Sequence, residues 1–101
     1  MATKFDIGKI IRHRLFEYRG VVIGVDETFQ GSEDWYENVA RTRPPKDRPW
    51  YHVLVHNSAI ETYVAERNLE PDISDAPVNH PYVESLFDTI QDGRYIRKHV
   101  N

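Results

Sequence analysis

One stretch restricts the possible folds of this chain more than any other: residues 49–66 have the pattern of a β-hairpin. Within residues 50–56 the side chains alternate between two faces, because successive residues of a strand point in opposite directions. One face carries Tyr51, Val53 and Val55, and the other carries Trp50, His52, Leu54 and His56. A polar turn at 56–59 leads into a second β-forming run at 60–66, which predicts an antiparallel pair.

Two further strands are predicted before the hairpin, at residues 5–13 and 20–26. The apolar residues expected to share one face of the second strand are Val21, Ile23 and Val25. A glycine in mid-strand, Gly24, marks a bend or a close approach of another backbone. Short, bent, antiparallel strands favour a small SH3-like barrel, which we expect to occupy residues 5–71.

Residues 27–49 form a long polar segment between the second strand and the hairpin. Its first half is acidic, its second half is basic, and it contains three prolines. A segment of this length is unusual in a compact domain and is typically functional or mobile. We expect a loop here, with a short helical turn at 33–40.

The region after the hairpin, residues 79–96, predicts a helix that packs on the barrel. Asn79 is a good N-cap residue, and Gly93 suits the position that closes a helix. The apolar residues at helical spacing are Val83, Leu86, Phe87 and Ile90. The predicted fold class is therefore mainly β: one domain, residues 1–101, with a small antiparallel barrel and one C-terminal helix.

The net charge of −3 is unevenly distributed. Residues 1–48 carry +1, residues 49–93 carry −7 with Arg67 as their one basic residue, and residues 94–101 carry +3. A chain dedicated to nucleic acid usually has a basic excess, so any DNA contact requires a local patch of cations. The absence of cysteine fits a reducing compartment, and no signal peptide is visible at the N-terminus, so we expect a cytoplasmic protein.

Catalytic and metal-binding patterns are not found in the sequence. There is no phosphate-binding loop, no nucleophile elbow and no zinc-protease motif. His52 and His56 share a strand face, but four residues at ~3.3 Å each separate them by about 13 Å, too far for one zinc ion. The sequence therefore predicts no enzyme, no metal and no cofactor.

Two sets of residues are candidates for binding partners. The basic set could contact phosphates, although such a run is often only a solvated face: Arg12, His13, Arg14, Arg19, Arg41, Arg43, Lys46 and Arg48. We expect His13, between Arg12 and Arg14, to belong to a solvated basic strand. The second set, for a protein partner, is Trp50 and His52. Trp50 is equally consistent with a stacking platform and with the core, whereas Tyr51 is expected in the core.

Several motifs together resemble one known family, the YccV-like domain, also called the hemimethylated-DNA-binding domain or the heat-shock protein HspQ family. They are Phe5-x-Ile-Gly-x-Ile-Ile-Arg-His13, Tyr18-Arg-Gly-Val-Val22 with Asp26, Pro49-Trp-Tyr-His-Val-Leu-Val55, Thr62-Tyr-Val-Ala-Glu66 and Asn68-Leu-Glu70. The segment from Asn79-His-Pro81 to Gly93-Arg-Tyr95 is similar to a C-terminal extension. Some versions of the domain carry this extension, and those versions also occur as modules of eukaryotic F-box proteins.

This resemblance implies a small β-barrel without catalytic activity, in a heat-shock setting. It implies binding to hemimethylated DNA, and a role in promoting the degradation of client proteins, including a replication initiator, by the Lon protease. Two hypotheses follow: a DNA-binding regulatory module, and a protein-interaction adaptor for proteolysis. An open strand edge would also permit self-association.

Overall fold

The computed structural model describes residues 3–98 of the chain. Within that range it contains seven β-strands, two short α-helices and one turn of 3₁₀-helix. The strands are β1 Ile10–His13, β2 Arg19–Asp26, β3 Trp50–Val55, β4 Glu61–Ala65, β5 Leu69–Pro71, β6 Phe87–Gln91 and β7 Arg94–Arg97. The α-helices are α1 Glu33–Val39 and α2 Val83–Leu86, and the 3₁₀ turn is Glu66–Asn68.

The predicted hairpin is confirmed as the pair β3–β4, with Trp50 opposite Ala65 and Leu54 opposite Glu61. Its turn is closed by a hydrogen bond from the Val55 N–H to the Ile60 carbonyl, 3.0 Å. Asn57 takes a positive φ in this turn, a conformation that asparagine tolerates better than most residues. The hairpin forms one side of an antiparallel five-stranded sheet in the order β4-β3-β2-β1-β5.

The sheet is open in the described part of the chain, so the predicted small SH3-like barrel is not confirmed. β4 and β5 lie at opposite edges and do not pair with each other in the described part of the chain. β5 has three residues and ends at Pro71, which has no N–H to donate. β5 pairs with β1 through one of its edges, and its three residues offer at most a very short ladder on the other edge for closure onto β4.

Both faces of this sheet are buried. Neighbouring residues of the same strand contribute to different cores, as strand alternation requires. One core contains Phe5, Ile11, Val22, Tyr51, Val53, Val64 and Leu69. The opposite core contains Ile10, Val21 and Leu54 from the sheet, covered by Val78, Val83, Phe87 and Tyr95 from the C-terminal region. The C-terminal region is therefore an integral layer of the domain.

The expected common face of β2 is only partly correct. Val21 and Ile23 pack in one core, but Val25 packs in the other, together with Val22. The pairing of β2 with β3 shifts register between Val22 and Gly24, and one extra residue in a strand moves every later side chain to the opposite face. The irregularity predicted at Gly24 is thus present.

The first strand is shorter than predicted because the chain turns at Gly8, whose φ is +98°. A Cβ at Gly8 would lie 2.1 Å from the Tyr95 carbonyl oxygen. The close approach allows the Tyr95 N–H to donate to the Gly8 carbonyl, 2.9 Å. The turn therefore holds the N-terminal segment against β7, and β1 begins only at Ile10.

The long segment before the hairpin contains the helical turn predicted at 33–40. α1 spans Glu33–Val39, and the Ser32 hydroxyl caps it by accepting from the Trp35 N–H at 3.1 Å. Serine is among the favoured residues at this position because its oxygen satisfies one of the first helical N–H groups.

The predicted C-terminal helix is reduced to a single turn, which begins at Val83 after Tyr82 and not after the predicted N-cap Asn79. α2 has four residues, after which Phe87–Gln91 and Arg94–Arg97 form a β-hairpin. Asp92 and Gly93 both have positive φ, as the favoured two-residue hairpin turn requires. A register shift between Phe87 and Thr89 places Phe87 and Ile90 on the same side, although they are three residues apart. The bulge therefore gives Phe87 and Ile90 the three-residue spacing that is typical of one face of a helix.

Truncation of Phe87 and of Leu86 should distinguish the hairpin from the helix. Phe87 is 4% exposed and Leu86 is 42% exposed. We expect Phe87→Ala to lower the free energy of unfolding by about 3–5 kcal/mol, and Leu86→Ala by about 0.5–1 kcal/mol. Chemical denaturation of both variants measures these values. Equal, large losses would contradict the hairpin, because a helix would bury both side chains.

Candidate nucleic-acid interface

Four arginines lie on segments of the chain that adjoin one another at one end of the sheet. We call Arg14, Arg41, Arg48 and Arg67 the basic rim. All four are exposed, and in residues 3–98 none of them forms an ion pair. Three of these cations were predicted from sequence.

Backbone contacts bring the segments of the basic rim together. The Arg14 N–H donates to the Asn68 carbonyl at 2.8 Å, and the Arg14 Nε donates to the Leu69 carbonyl at 3.3 Å. The Arg67 guanidinium donates to the Thr42 carbonyl at 2.6 Å. The Glu66 N–H donates to the Pro49 carbonyl at 3.0 Å. The 3₁₀ turn therefore contacts both Arg14 and the 41–49 segment.

Arg67 was not predicted, although the sequence contains a signal for it. It is the one basic residue between positions 49 and 93, and it stands directly after β4, where a strand end presents a side chain to solvent. An isolated cation in a strongly acidic region is more informative than one within a basic run, because the run is usually only a solvated face.

Three other predicted cations are neutralised by carboxylates. Arg12 pairs with Glu17 at 3.0 Å, Arg43 with Glu37 at 2.9 Å and Lys46 with Glu33 at 2.6 Å. All of these pairs are solvent-exposed, so they add little to stability. They do reduce the local positive charge, which leaves the four arginines of the basic rim as the stronger candidates for phosphate contacts.

Arg19 has a structural role. Its Nε donates to Asp72 Oδ2 at 2.9 Å, and a terminal nitrogen donates to the Ala76 carbonyl. Burial acts to raise the pKa of Asp72, but hydrogen bonds from Ser74 and Arg19, with the Arg19 charge, outweigh it and hold that pKa below its ordinary value. The pair ties β2 to the chain after β5, so the charge of Arg19 is already compensated.

His13 is buried, and the expectation of a solvated side chain is wrong. It is 4% exposed, and its Nδ1 accepts from the N–H groups of Leu15 and Phe16, each at 3.1 Å. The Phe16 ring stacks on the imidazole with a centroid distance of 4.6 Å. Desolvation lowers the pKa of His13. The neutral imidazole therefore shapes the 14–17 turn, and it is not placed to contact a phosphate.

Trp50 lies in the core, which settles the open alternative and excludes it as an exposed partner contact. It is 1% exposed, and its Nε1 donates to the Pro45 carbonyl at 3.1 Å. It belongs to an aromatic cluster that attaches α1 and its flanking segments to the sheet, with Phe29, Trp35, Tyr36 and Tyr63. The long segment before the hairpin is thereby attached to the domain through a few aromatic side chains, while most of its residues are exposed.

Tyr51 is buried as predicted. Its hydroxyl donates to Glu66 Oε2 at 2.5 Å and accepts from the Phe5 N–H at 3.2 Å. Desolvation, reinforced by the Glu66 carboxylate, raises the pKa of Tyr51 to about 12. This network fixes the N-terminal segment to the start of the 3₁₀ turn, close to the basic rim.

His52 is the half-exposed member of the second predicted set. Its Nε2 lies 3.2 Å from Asp26 Oδ2 and its Nδ1 lies 3.4 Å from Glu61 Oε2. The Tyr63 hydroxyl donates to the same Asp26 oxygen at 2.7 Å; desolvation and this carboxylate raise the pKa of Tyr63 to about 12. No group of three or more His, Cys, Asp or Glu side chains in residues 3–98 is arranged to hold a metal ion.

An apolar groove of about 650 Å³ begins beside the basic rim and runs along β4. One wall is the 13–18 turn, and the other is formed by α1 and the residues after it. Phe16 is 74% exposed and Val39 57% exposed at its two sides. The sequence reasoning missed this groove, since it treated the Leu15-Phe16 pair as part of a simple connection.

Residues 3–94 match the family model described as "Hemimethylated DNA-binding protein YccV like". The chain belongs to the YccV-like family. The matched residues include the whole five-stranded sheet, the basic rim and both walls of the groove. None of the helices of this YccV-like domain in residues 3–98 is long and apolar enough to cross a membrane.

The buried His13 of this YccV-like domain should make its stability depend on pH. Because its folded-state pKa is lowered, the unfolded chain binds the proton more readily, and stability falls as the pH drops below about 6.5, the ordinary histidine value. The decrease is complete once the pH passes below the folded-state pKa. Urea titrations between pH 8 and pH 5 measure this dependence.

His13→Asn provides the control, since an asparagine oxygen can accept the same backbone hydrogen bonds but does not titrate. We expect a smaller decrease in stability between pH 7.5 and pH 5.5 for this variant than for the wild type. Parallel pH curves for the two proteins would show that His13 is not the responsible group.

Proposed function

We propose that this YccV-like domain is a non-catalytic, cytoplasmic module that binds hemimethylated DNA, with the basic rim in contact with the phosphates. The observation that supports it is that four arginines, none of them ion-paired within residues 3–98, lie on adjoining segments of a chain of net charge −3. The description of the family supplies the methylated-DNA specificity.

The positions of the four arginines favour contacts with DNA that are made by turns and not by a helix. α1 has seven residues; its Glu33 and Glu37 are paired with Lys46 and Arg43, and Asp34 adds a negative charge, so the helix has no free cation for the DNA backbone. The basic rim instead lies on turns that join strands, where guanidinium groups can adapt to phosphate positions. Phosphate contacts of this kind fix orientation but carry no sequence information. Recognition of the methyl group must therefore come from other contacts.

The acidic character of the rest of the domain limits its affinity for DNA in general. Each cation that contacts a phosphate releases about one counterion, so affinity depends steeply on salt. With four uncompensated arginines, we expect weak non-specific binding at physiological ionic strength. A regulatory module that must leave most of the chromosome unoccupied requires this property.

Alanine substitutions of Arg14, Arg41, Arg48 and Arg67 test the proposal. Each should lower the slope of log affinity against log salt concentration by ~0.9 for every phosphate that the variant no longer neutralises, with equal effects on hemimethylated, fully methylated and unmethylated duplexes. Fluorescence anisotropy at several salt concentrations measures the slope. Arg97→Ala, an exposed arginine of β7, is the matched control and should leave the slope unchanged.

Two results would overturn this proposal. An unchanged slope in the quadruple variant would remove the basic rim as the phosphate-binding surface. Equal affinity of the wild type for the three duplexes at every salt concentration would remove the preference for hemimethylated DNA. Thermal melting of each variant establishes that it remains folded.

A second candidate function, supported by the apolar groove, is that of an HspQ-type adaptor that presents client proteins to the Lon protease. Exposed Phe16 and Val39 on opposite walls offer apolar contacts that a solvated DNA-binding face does not need. Degradation of a replication initiator by purified Lon, with and without the domain, tests this function. An unchanged degradation rate would exclude it.

A further inference from the structure

We propose that the edge of β4 is a docking site for an extended segment of another protein, which lies in the apolar groove and adds to the sheet as a further strand. The inference does not depend on the DNA-binding proposal. It deepens the second candidate function by naming the chemistry of the partner.

The backbone of β4 has unused hydrogen-bonding groups along its outer edge. Hydrogen bonds from Val55 to Ile60 and from Glu66 to Pro49 fix which residues of the hairpin face each other. Since these groups alternate along a strand, Thr62 and Val64 bond to β3, and the N–H and C=O groups of Glu61, Tyr63 and Ala65 point outward. The Ala65 carbonyl begins the 3₁₀ turn Glu66–Asn68; within residues 3–98 the N–H groups of Glu61, Tyr63 and Ala65 and the carbonyls of Glu61 and Tyr63 have no backbone partner.

The groove lies directly over this edge. All five residues of β4 line it. Tyr18, whose hydroxyl lies 2.8 Å from Thr62 Oγ1, continues into the wall on one face of the sheet. Trp35, packed with Tyr63 at a centroid distance of 5.7 Å, continues into the wall on the other face. The unused backbone groups therefore form the floor of a channel with an apolar wall on each side.

β4 also lacks the features that normally protect an edge strand. It contains no proline and no lysine, and its register with β3 is continuous. Natural sheets usually protect their edges with charges, prolines or bulges. The opposite edge, β5, is short and ends in proline. β4 is thus the edge suited to strand addition: its start at Glu61 is exposed, and Ala65, 3% exposed and packed with Tyr36 and Trp50, lies at its covered end.

The two walls of the groove restrict which class of molecule can reach the edge of β4. The edge lies between the 13–18 turn and the 39–44 segment, so a second folded sheet cannot approach it closely, whereas a single extended chain can. Backbone groups that alternate along the floor match a polypeptide and not a nucleic acid. Strand addition of this type combines backbone hydrogen bonds with pockets for alternate side chains.

The side chains around the groove define the partner further. One set of alternate partner residues would face Leu15, Phe16 and Tyr18, and the other would face Trp35 and Val39, so both sets should be bulky and apolar. Arg41 lines the groove near Ala65, while Glu61 stands at the other end of β4. Charge complementarity then favours an acidic group on the partner at the Ala65 end.

The probe is a panel of synthetic heptapeptides with Val, Ile, Leu or Phe at alternate positions and Asp at one end or the other. Binding should protect the amide hydrogens of Tyr63 and Ala65 from exchange, as measured by NMR. Methylation of the peptide nitrogens that face β4 should abolish binding, and methylation of the alternate nitrogens should not. If no member of the panel protects these amides, the proposal is overturned.

Ala65→Pro provides a direct test of the edge. Ala65 has φ −67°, which proline adopts without strain, and its N–H does not serve the β3–β4 ladder. The substitution removes an outward donor and puts a ring carbon at the edge. We expect affinity for the peptide to fall at least about tenfold, equivalent to about 1.4 kcal/mol, with aromatic circular dichroism preserved.

Wall substitutions provide a second, independent test if Ala65→Pro impairs folding. Phe16→Ser and Val39→Ser each remove an exposed apolar side chain from one wall, and affinity for the peptide should fall about tenfold. Ile73→Ser is the matched control, because Ile73 is 96% exposed and lies outside the groove; its affinity should change by no more than about twofold. Equal effects of all three would overturn the proposal.

Two other ligands of the groove, a second copy of the chain and a single-stranded nucleic acid, would give different experimental results. Concentration-dependent dimerisation in sedimentation experiments, abolished in Ala65→Pro, would assign the edge to a second copy of the chain and overturn the proposal. Binding of an eight-nucleotide oligothymidylate that is abolished in Phe16→Ser would assign the groove to single-stranded nucleic acid, with the same consequence. None of the substituted residues belongs to the basic rim. Failure of the peptide-docking proposal can therefore be distinguished from failure of the DNA-binding proposal.

Discussion

The architecture depends on the burial of both faces of one five-stranded sheet. Each of the central strands presents apolar side chains in both directions, so two separate layers must cover them. The N-terminal segment, anchored through Tyr51, contributes to one layer, and the C-terminal hairpin supplies the other. The Gly8 turn joins these two covering segments at Tyr95. A sheet of this size without the C-terminal region would expose Ile10, Val21 and Leu54, and burial of apolar area is the main source of stability.

The parts of the fold that could be predicted from sequence are those fixed by local pattern. The β3–β4 hairpin has strong alternation and a polar turn, and both are in the structure. Two of the errors have a common cause, which is that β-bulges change the phase of a strand without leaving a clear signal in the sequence. In β2 a bulge moves Val25 to the other core, and in β6 a bulge gives Phe87 and Ile90 helical spacing. Asp92-Gly93 suits a two-residue hairpin turn, but a glycine at this place also suits the end of a helix, which is its interpretation from the sequence alone.

The candidate site was less predictable because charge pairing is set by tertiary structure. Arg14, Arg41 and Arg48 were in the predicted set, and so were Arg19, which is compensated by Asp72, and His13, which is buried. Sequence shows how many cations a segment carries, but not which of them have a carboxylate within 3 Å. Arg19 differs from Arg14 in that it forms an ion pair, with Asp72, which is 53 residues away in the sequence. The groove was missed for the same reason, since its two walls are distant in the chain and meet only at β4.

The basic rim and the groove are physically continuous, and this continuity couples the two proposals. Arg41 belongs to the rim and also lines the groove, and Asn68, which accepts from the Arg14 backbone, lines it as well. A phosphate held at Arg41 would occupy the position that we assign to the acidic end of a peptide, so the two ligands compete for one cation. Binding free energies are reciprocal, and DNA would therefore weaken the peptide as much as the peptide weakens DNA. If both proposals hold, the domain would exchange one kind of partner for the other without a conformational change, because the shared Arg41 would exclude simultaneous binding.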